Sequence, residues 1–391
     1  MSRYERAQSF LKKLVPAGLV LVSTVVALLL GELFVRIVVN PGDFLPATLI
    51  DDPALGHRIK PHTTGHDALG FRNAVVPDQA SIIAIGDSMT YGFGVTRDGN
   101  WPSQLGSLLN KPVYNMALGG YGPLQYLYLA QHEAKKLRPS LLIVGFYFGN
   151  DFIDAYRVAN QIPFWSGWRP VGPSAESDAE YYRVADAEPK KRFAELRNWL
   201  YHHSVLYSML RVTVLVRFAS WEREGMASQV APDRQMMWVD PSNQAVRAIF
   251  TPQLILSALD PRLPSVRKGF RITTRAFSTM KGEAIVQGAQ MLVVLIPTRE
   301  RAYCDYIKSS SDQLPRAFAM LCDAEDQMKA ELVKFFVIEE IAHVDTTAAL
   351  EDAVRKHVPI YPEADGHPLE SGQQIIAHVA SDAVNRMQKH K

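Results

Sequence analysis

Three continuous apolar runs of strand length constrain this chain more than any other feature: Ile82 to Ile85, Ser140 to Phe148 (SLLIVGFYF) and Met291 to Ile296 (MLVVLI). None alternates apolar with polar residues, so each reads as a strand covered on both faces, the signature of a parallel sheet between helices. Pro112 to Asn115 reads as a shorter strand. The segments between carry helical periodicity. Trp101 to Leu109 is one; Pro123 to Leu137 is another, with Leu127, Ala130, Ala134 and Leu137 on one face. A third contains Phe270, Phe277, Met280 and Ala284 and closes at Gly288, and a fourth runs from near Pro315 through Leu332 towards Phe336. The last follows Ser371-Gly372 and stacks Ile376, Val379, Ala380, Ala383 and Met387. Strands alternating with helices predict an α/β fold, a doubly wound and mainly parallel sheet.

Two stretches depart from this alternation. Val38 to about Val75 is punctuated by Pro, Gly, Asp and His and favours turns and short strands, so residues 37–78 read as a lead-in to the domain. Its His57, His62 and His66 stand among turn residues rather than on one helix face, a spacing that does not favour a metal site. From Asp151 to about Pro264 the alternation lapses. Here lie Trp165-Ser-Gly-Trp168, a polar run over 176–192, an amphipathic segment with Phe193, Leu196 and Leu200 on one side, and an apolar run from Val205 to Phe218 interrupted by Arg211 and Arg217. That run is too short and too charged to cross a bilayer. The stretch reads as a helical insertion at about 152–264 within a domain spanning 79–391.

The amino terminus has a different character. Leu14 to Gly31 holds no charged residue, and at about 1.5 Å per residue it nearly crosses a hydrocarbon core of about 30 Å. Arg3, Arg6, Lys12 and Lys13 precede it against Glu5 alone, which by the positive-inside rule keeps residues 1–13 in the cytoplasm. A cleaved signal peptide would show a small-x-small site, and LLLGELFVRIVV after Ala27 offers none. We therefore expect a transmembrane signal anchor over 14–36, with the rest of the chain on the periplasmic or extracytoplasmic side. On that side Cys304 and Cys322 can form one disulfide or remain as two thiols.

Composition narrows the partners. The 391 residues are 47% hydrophobic and 21% charged, as in ordinary globular proteins, and the formal net charge of +2 gives no basic face for nucleic acid. No C-x-x-C, Cys/His cluster or P-loop is present, and no cofactor is called for.

The first apolar strand runs into Gly86-Asp87-Ser88-Met89-Thr90-Tyr91-Gly92, which sets a serine hydroxyl at the carboxyl end of a strand, where open α/β sheets bind ligands. This block resembles the nucleophile block G-D-S-x-T-x-G of the SGNH (GDSL-type) hydrolase family. Three later blocks keep that family's order: Gly119-Gly120 in NMALGGYGP, Asn150 in FGND, and Asp365 with His367 in ADGHP. Each alone reads equally as a turn or cap; together they resemble the family from about Ser81 to His378, the insertion apart. The resemblance implies a flavodoxin-like three-layer sandwich and a triad of Ser88, His367 and Asp365. It also implies an oxyanion hole from Ser88, Gly120 and Asn150. A serine hydroxyl needs a base, here His367, whose tautomer Asp365 would fix, and the oxyanion needs preset donors. Where the family often reads D-x-x-H, this chain has one residue between Asp365 and His367, and Gly119 is an alternative to Gly120.

The expected activity is ester hydrolysis through an acyl-serine, acting on acyl esters of the cell envelope, with a polysaccharide as one such substrate. The anchored form is similar to envelope polysaccharide O-acetylesterases and O-acyltransferases. Acyl transfer to a sugar hydroxyl with the same residues is an alternative, and a non-catalytic binding protein on the same fold is another.

Overall fold

In the computed structural model, which describes residues 3–171, 194–211, 230, 234–243, 247–310 and 314–389, an all-parallel sheet of five strands carries the fold. These are β3 (Ile82–Ile85), β4 (Val113–Asn115), β5 (Leu141–Tyr147), β8 (Gln290–Ile296) and β9 (Ala342–Asp345), in the order β4-β3-β5-β8-β9. Two antiparallel pairs stand apart from it, β1 (Leu49–Asp52) with β2 (Gly56–Ile59) and β6 (Met236–Val239) with β7 (Arg247–Phe250). Counted along the chain, the five parallel strands lie second, first, third, fourth, fifth, which is the flavodoxin-like order. Its switch point falls between β3 and β5. In open sheets of this order ligands bind outside the carboxyl ends of the strands at that point.

Helices cover both faces, and the pleat shows which residues meet them. Ile82, Ala84, Ile143, Leu292 and Val294 pack with Trp101 and Leu105 of α3 (Trp101–Leu109), Ile307 of α10 (Arg299–Ser310) and Ile376 and Ala380 of α13 (Glu370–Lys389). On the opposite face the Phe146 ring lies 5.0 Å from Phe152 of α5 (Asp151–Gln161) and 5.8 Å from Phe277 of α9 (Pro264–Val286). α9 also packs against α4 (Pro123–His132). This helix–sheet–helix layering is the expected three-layer sandwich. All of β5 is buried, which is why it needs an unbroken apolar run. α9 approaches α5 so closely that a β-carbon on Gly269 would stand 1.9 Å from the Phe152 carbonyl oxygen, so only glycine fits.

α5 begins directly at Asp151 and packs on α4 and α9, so the strand–helix alternation runs one helix further than the sequence pattern suggests. The remaining helices of this part are α2 (Ser88–Tyr91), α8 (Pro252–Leu259), α11 (Arg316–Ile338) and α12 (Thr347–Arg355). Cys304 on α10 and Cys322 on α11 are disulfide-bonded, with sulfurs 2.19 Å and Cα atoms 6.3 Å apart.

The chain divides into two compact units, Met1–Ala47 with Lys190–Glu222, and Thr48–Pro189 with Arg223–Lys391. The first contains α1 (Arg3–Val38), α6 (Ala194–His203) and α7 (Val205–Leu210). Val15–Val38 of α1, with mean hydropathy 2.4, is long and apolar enough to cross a membrane. Near its end Glu32 accepts hydrogen bonds from Ser204 Oγ and the Val205 and Leu206 N–H groups, and so satisfies donors that the start of α7 leaves open. Arg36 pairs with Glu32 and donates to the His203 carbonyl. The polar run 176–192, Phe193 and the part of the apolar run from 212 to 218 lie outside the described residues. The second unit holds both faces of the sheet and every candidate site residue, together with the β1–β2 hairpin of the lead-in.

Candidate active site

The turn carrying Ser88 is locked to the sheet from beneath. A β-carbon on Gly86 of the β3 end would lie 2.1 Å from Thr90 Oγ1, and one on Gly145 of β5 would lie 2.2 Å from the same atom. Thr90 therefore drops between two strands where only glycine leaves room, which seats α2 on the sheet edge. Asp87, fully buried, caps α2 by accepting the Met89 N–H at 2.9 Å, and Gly92, at φ 80°, ends it. Burial pushes the Asp87 carboxyl up to about 7 against the pull of the Met89 N–H and of His367.

Ser88 Oγ lies 2.8 Å from His367 Nε2, and His367 Nδ1 lies 2.6 Å from Asp365 Oδ1. The same carboxylate oxygen accepts the His367 backbone N–H at 2.7 Å. The single residue between Asp365 and His367 thus makes a tight turn in which one oxygen holds both the ring and the backbone of the histidine. Because a carboxylate only accepts, Nδ1 carries the proton and Nε2 is free to accept from Ser88. Burial acts against the charged imidazolium, but the Asp365 hydrogen bond and charge outweigh it and raise His367 above its ordinary value. Burial likewise tends to raise Asp365, yet the bonds and charge of His367 hold it below the usual carboxylate range. Ser88, Asp365 and His367 are all half-buried, so the three remain partly open to solvent.

The loop after β4 meets Ser88 from the side. Tyr121 N–H bonds the Leu118 carbonyl at 3.2 Å, closing a turn whose third residue, Gly120, has φ 79°, a conformation that favours glycine. A β-carbon on Gly119 would sit 3.5 Å from Ser88 Cβ. Arg157 donates to the Gly120 carbonyl at 3.1 Å, and His57 Nε2 lies 3.1 Å from the Gly119 carbonyl. Asn150 stands at the head of α5, the first helix beyond the β5 end. Its Nδ2 donates to Asp154 at 2.6 Å, and Asp154 in turn pairs with Arg157 at 3.0 Å. An amide nitrogen has two N–H groups, so Asn150 keeps one for another acceptor. The relay Asn150–Asp154–Arg157–Gly120 ties together the two sequence blocks read as oxyanion donors. Buried Asp151, held by Tyr126 OH at 2.9 Å and the Tyr147 N–H at 3.0 Å, is raised well above its ordinary value by burial and by the charge of Asp87.

Several residues around this site carry no sequence signal of their own. Arg299, three residues past β8, donates to the carbonyls of Pro362, Glu363 and Asp365 and so grips the loop that bears the histidine. Its position just beyond a strand's carboxyl end is the one cue it offers, the cue that singles out Asn150. Gln373 of α13 accepts from the Trp101 N–H and donates to the Met89 carbonyl, tying the helix that follows the histidine loop to α2 and α3. Phe93, 51% exposed, rests with its ring centroid 4.9 Å from that of His367. His66 bonds Tyr91 OH at 2.9 Å and the Thr64 carbonyl at 3.0 Å. Among the described residues no group of three or more His, Cys, Asp or Glu is placed to hold a metal ion.

No protein-family model matches the chain, and no curated protein matches it. Solved structures with a similar chain path include a catalytic mutant of an acetylxylan esterase from Geobacillus stearothermophilus. It is 11% identical with a TM-score of 0.38, over 79% of this chain and 96% of that one. Another is a GDSL-like lipase from Bacteroides thetaiotaomicron, 9% identical with a TM-score of 0.33, over 78% of this chain and 88% of that one. At such distances any functional reading stands on the residues of the site themselves.

Proposed function

We propose that this protein is a serine ester hydrolase that works through an acyl-serine, and that α1 anchors it in a membrane with its sheet domain on the extracytoplasmic side. The observation that carries the enzymatic reading is the chain Ser88 Oγ–His367 Nε2 at 2.8 Å and His367 Nδ1–Asp365 Oδ1 at 2.6 Å at the switch point of the sheet. Ser88 Oγ attacks the acyl carbonyl carbon while its proton passes to His367 Nε2. The negative charge that forms on the carbonyl oxygen is met by the N–H groups of Ser88 and Gly120 and by the Asn150 amide. On collapse the ester C–O bond breaks, and His367 returns the proton to the departing alcohol. Water then repeats the sequence on the acyl-serine, releasing the acid and restoring Ser88.

The substrates we propose are acyl esters of the cell envelope, including O-acetylated polysaccharide. The positive charges at Arg3, Arg6, Lys12 and Lys13 support the orientation, and the bonded pair Cys304–Cys322 fits an oxidising compartment.

The full chain in detergent, given p-nitrophenyl acetate and then an acetylated oligosaccharide, tests the reading. Turnover with release of free acetate is expected, as is fluorophosphonate labelling of Ser88, and both disappear in Ser88→Ala. Acetate that appears on an added sugar rather than in solution would make the enzyme a transferase. An absence of both turnover and labelling would leave a binding protein.

A further inference from the structure

We propose that His57, on the β1–β2 hairpin of the lead-in, is a positioning residue of the oxyanion-stabilising loop: it holds the Gly119 carbonyl and thereby aims the N–H of Gly120. The inference rests on the esterase reading and adds to it a residue from a segment that no catalytic block includes.

The argument begins with the peptide between Gly119 and Gly120. Its C=O belongs to Gly119 and its N–H to Gly120, and in a planar trans peptide the two point in opposite directions. Whatever fixes the carbonyl therefore fixes the N–H. This peptide is the central one of the Leu118–Tyr121 turn, flanked by glycine on both sides. With no β-carbon at either residue, little in the chain itself prevents a half-turn flip that would reverse the direction of the Gly120 N–H. An outside group has to choose the orientation. A carbonyl oxygen only accepts, so at 3.1 Å from it His57 Nε2 carries the proton and donates. Arg157 takes the next carbonyl, that of Gly120, at 3.1 Å. The two consecutive carbonyls are thus both held.

The hairpin is built to present this ring. Tyr121 OH donates to the His57 carbonyl at 2.8 Å, and the two rings lie 5.4 Å apart. The turn ahead of β2 is held by Trp165 Nε1 on the Ala54 carbonyl at 2.7 Å and by Gln125 Nε2 on the Leu55 carbonyl at 3.3 Å. A β-carbon on Gly120 would lie 3.4 Å from His57 Cε1, so the ring also sits against the turn it orients.

The test compares His57→Leu, which removes the donor, with His57→Gln, whose amide nitrogen falls near the place of Nε2, and His57→Asn, whose shorter amide does not reach it. Full-length protein is assayed with p-nitrophenyl acetate and with a trifluoromethyl ketone, which forms a tetrahedral adduct with an oxyanion on Ser88. Loss of one orienting hydrogen bond should lower kcat roughly 3- to 10-fold with KM nearly constant, and should weaken the ketone by the same factor. His57→Asn should behave like His57→Leu, and His57→Gln should return to within about twofold of the parent. The acid limb of the pH profile should stay in place. A folded His57→Leu protein with unchanged kcat and ketone affinity overturns the proposal, and so does a rise in KM at constant kcat. Should His57→Leu fail to fold, equal rates for the Gln and Asn variants overturn it instead. A parent protein that neither turns over nor labels at Ser88 removes the esterase reading and this one with it, whereas a labelled parent with an indifferent His57 removes only this one.

Discussion

Arg299 Nη1 holds the backbone carbonyl of Asp365 at 2.9 Å, so the aspartate of the proposed triad is fixed through its main chain as well as through its bond to His367. Arg299 is 3% exposed, also donates to the carbonyls of Ile249, Pro362 and Glu363, and lies over the Phe250 ring at 4.9 Å. One side chain from the β8 end therefore fastens the loop between α12 and α13 to the strand β7.

Replacing Arg299 by Met should do two things at once. Buried carbonyls lose their donor, which costs roughly 2–4 kcal/mol of stability, read as a lower denaturant midpoint at unchanged slope. The loop that positions His367 loosens, and kcat falls by more than KM rises. Lys at the same place keeps a charge but lacks the guanidinium fork, so it should recover little of either. A Met variant with the parent's midpoint and rate would show that the clamp is idle.

The pH dependence follows from His367. As the proposed base it must be neutral, and Asp365 raises its proton affinity above the ordinary 6.5 despite burial. Activity should therefore be lost as the pH falls through a value above 6.5, a limb visible in kcat/KM for p-nitrophenyl acetate. Asp365→Asn should shift that limb downward while lowering the plateau. The stability linkage has the opposite sense. A raised histidine stabilises the fold fully below its unfolded value, and that contribution fades as the pH rises through the folded one. A limb at or below 6.5 would contradict the assignment of His367 as a partnered base.

The bond between Cys304 and Cys322 spans 18 residues, a loop whose closure is worth roughly 3 kcal/mol. Reduction with dithiothreitol, or a double serine variant, should lower the guanidinium midpoint accordingly. Neither sulfur bonds a candidate site residue, so kcat below the transition should not change. An identical midpoint with and without reductant would refute the stabilising role.

What the sequence made legible followed from burial on both faces. β3, β5 and β8 are long enough and apolar enough to announce themselves, and the blocks bearing Ser88 and Asn150 sit where the first two stop. β9 gave no such cue. It is a half-buried edge strand containing His343 and Asp345, so it lacks the unbroken apolar run. β6 and β7 are only four residues long, and α12 is brief. His57 lay in plain view among turn residues, but spacing within the lead-in says nothing about a glycine turn 62 residues later. Arg299 was one of 42 basic residues. Contacts of this kind come from tertiary placement and leave no period in the chain.

The proposed nucleophile Ser88 and its proposed base His367 are 279 residues apart along the chain. At a synthesis rate of about 5–20 residues per second, roughly 15–55 s separate the appearance of Ser88 from that of His367. Through that interval Ser88 is an ordinary alcohol, because the imidazole that would take its proton does not yet exist. On the proposed mechanism, reactivity waits until the loop before α13 has brought His367 to Ser88. On that proposal a chain still being made is inert towards esters, and the activity begins only once the last stretch of chain is in place.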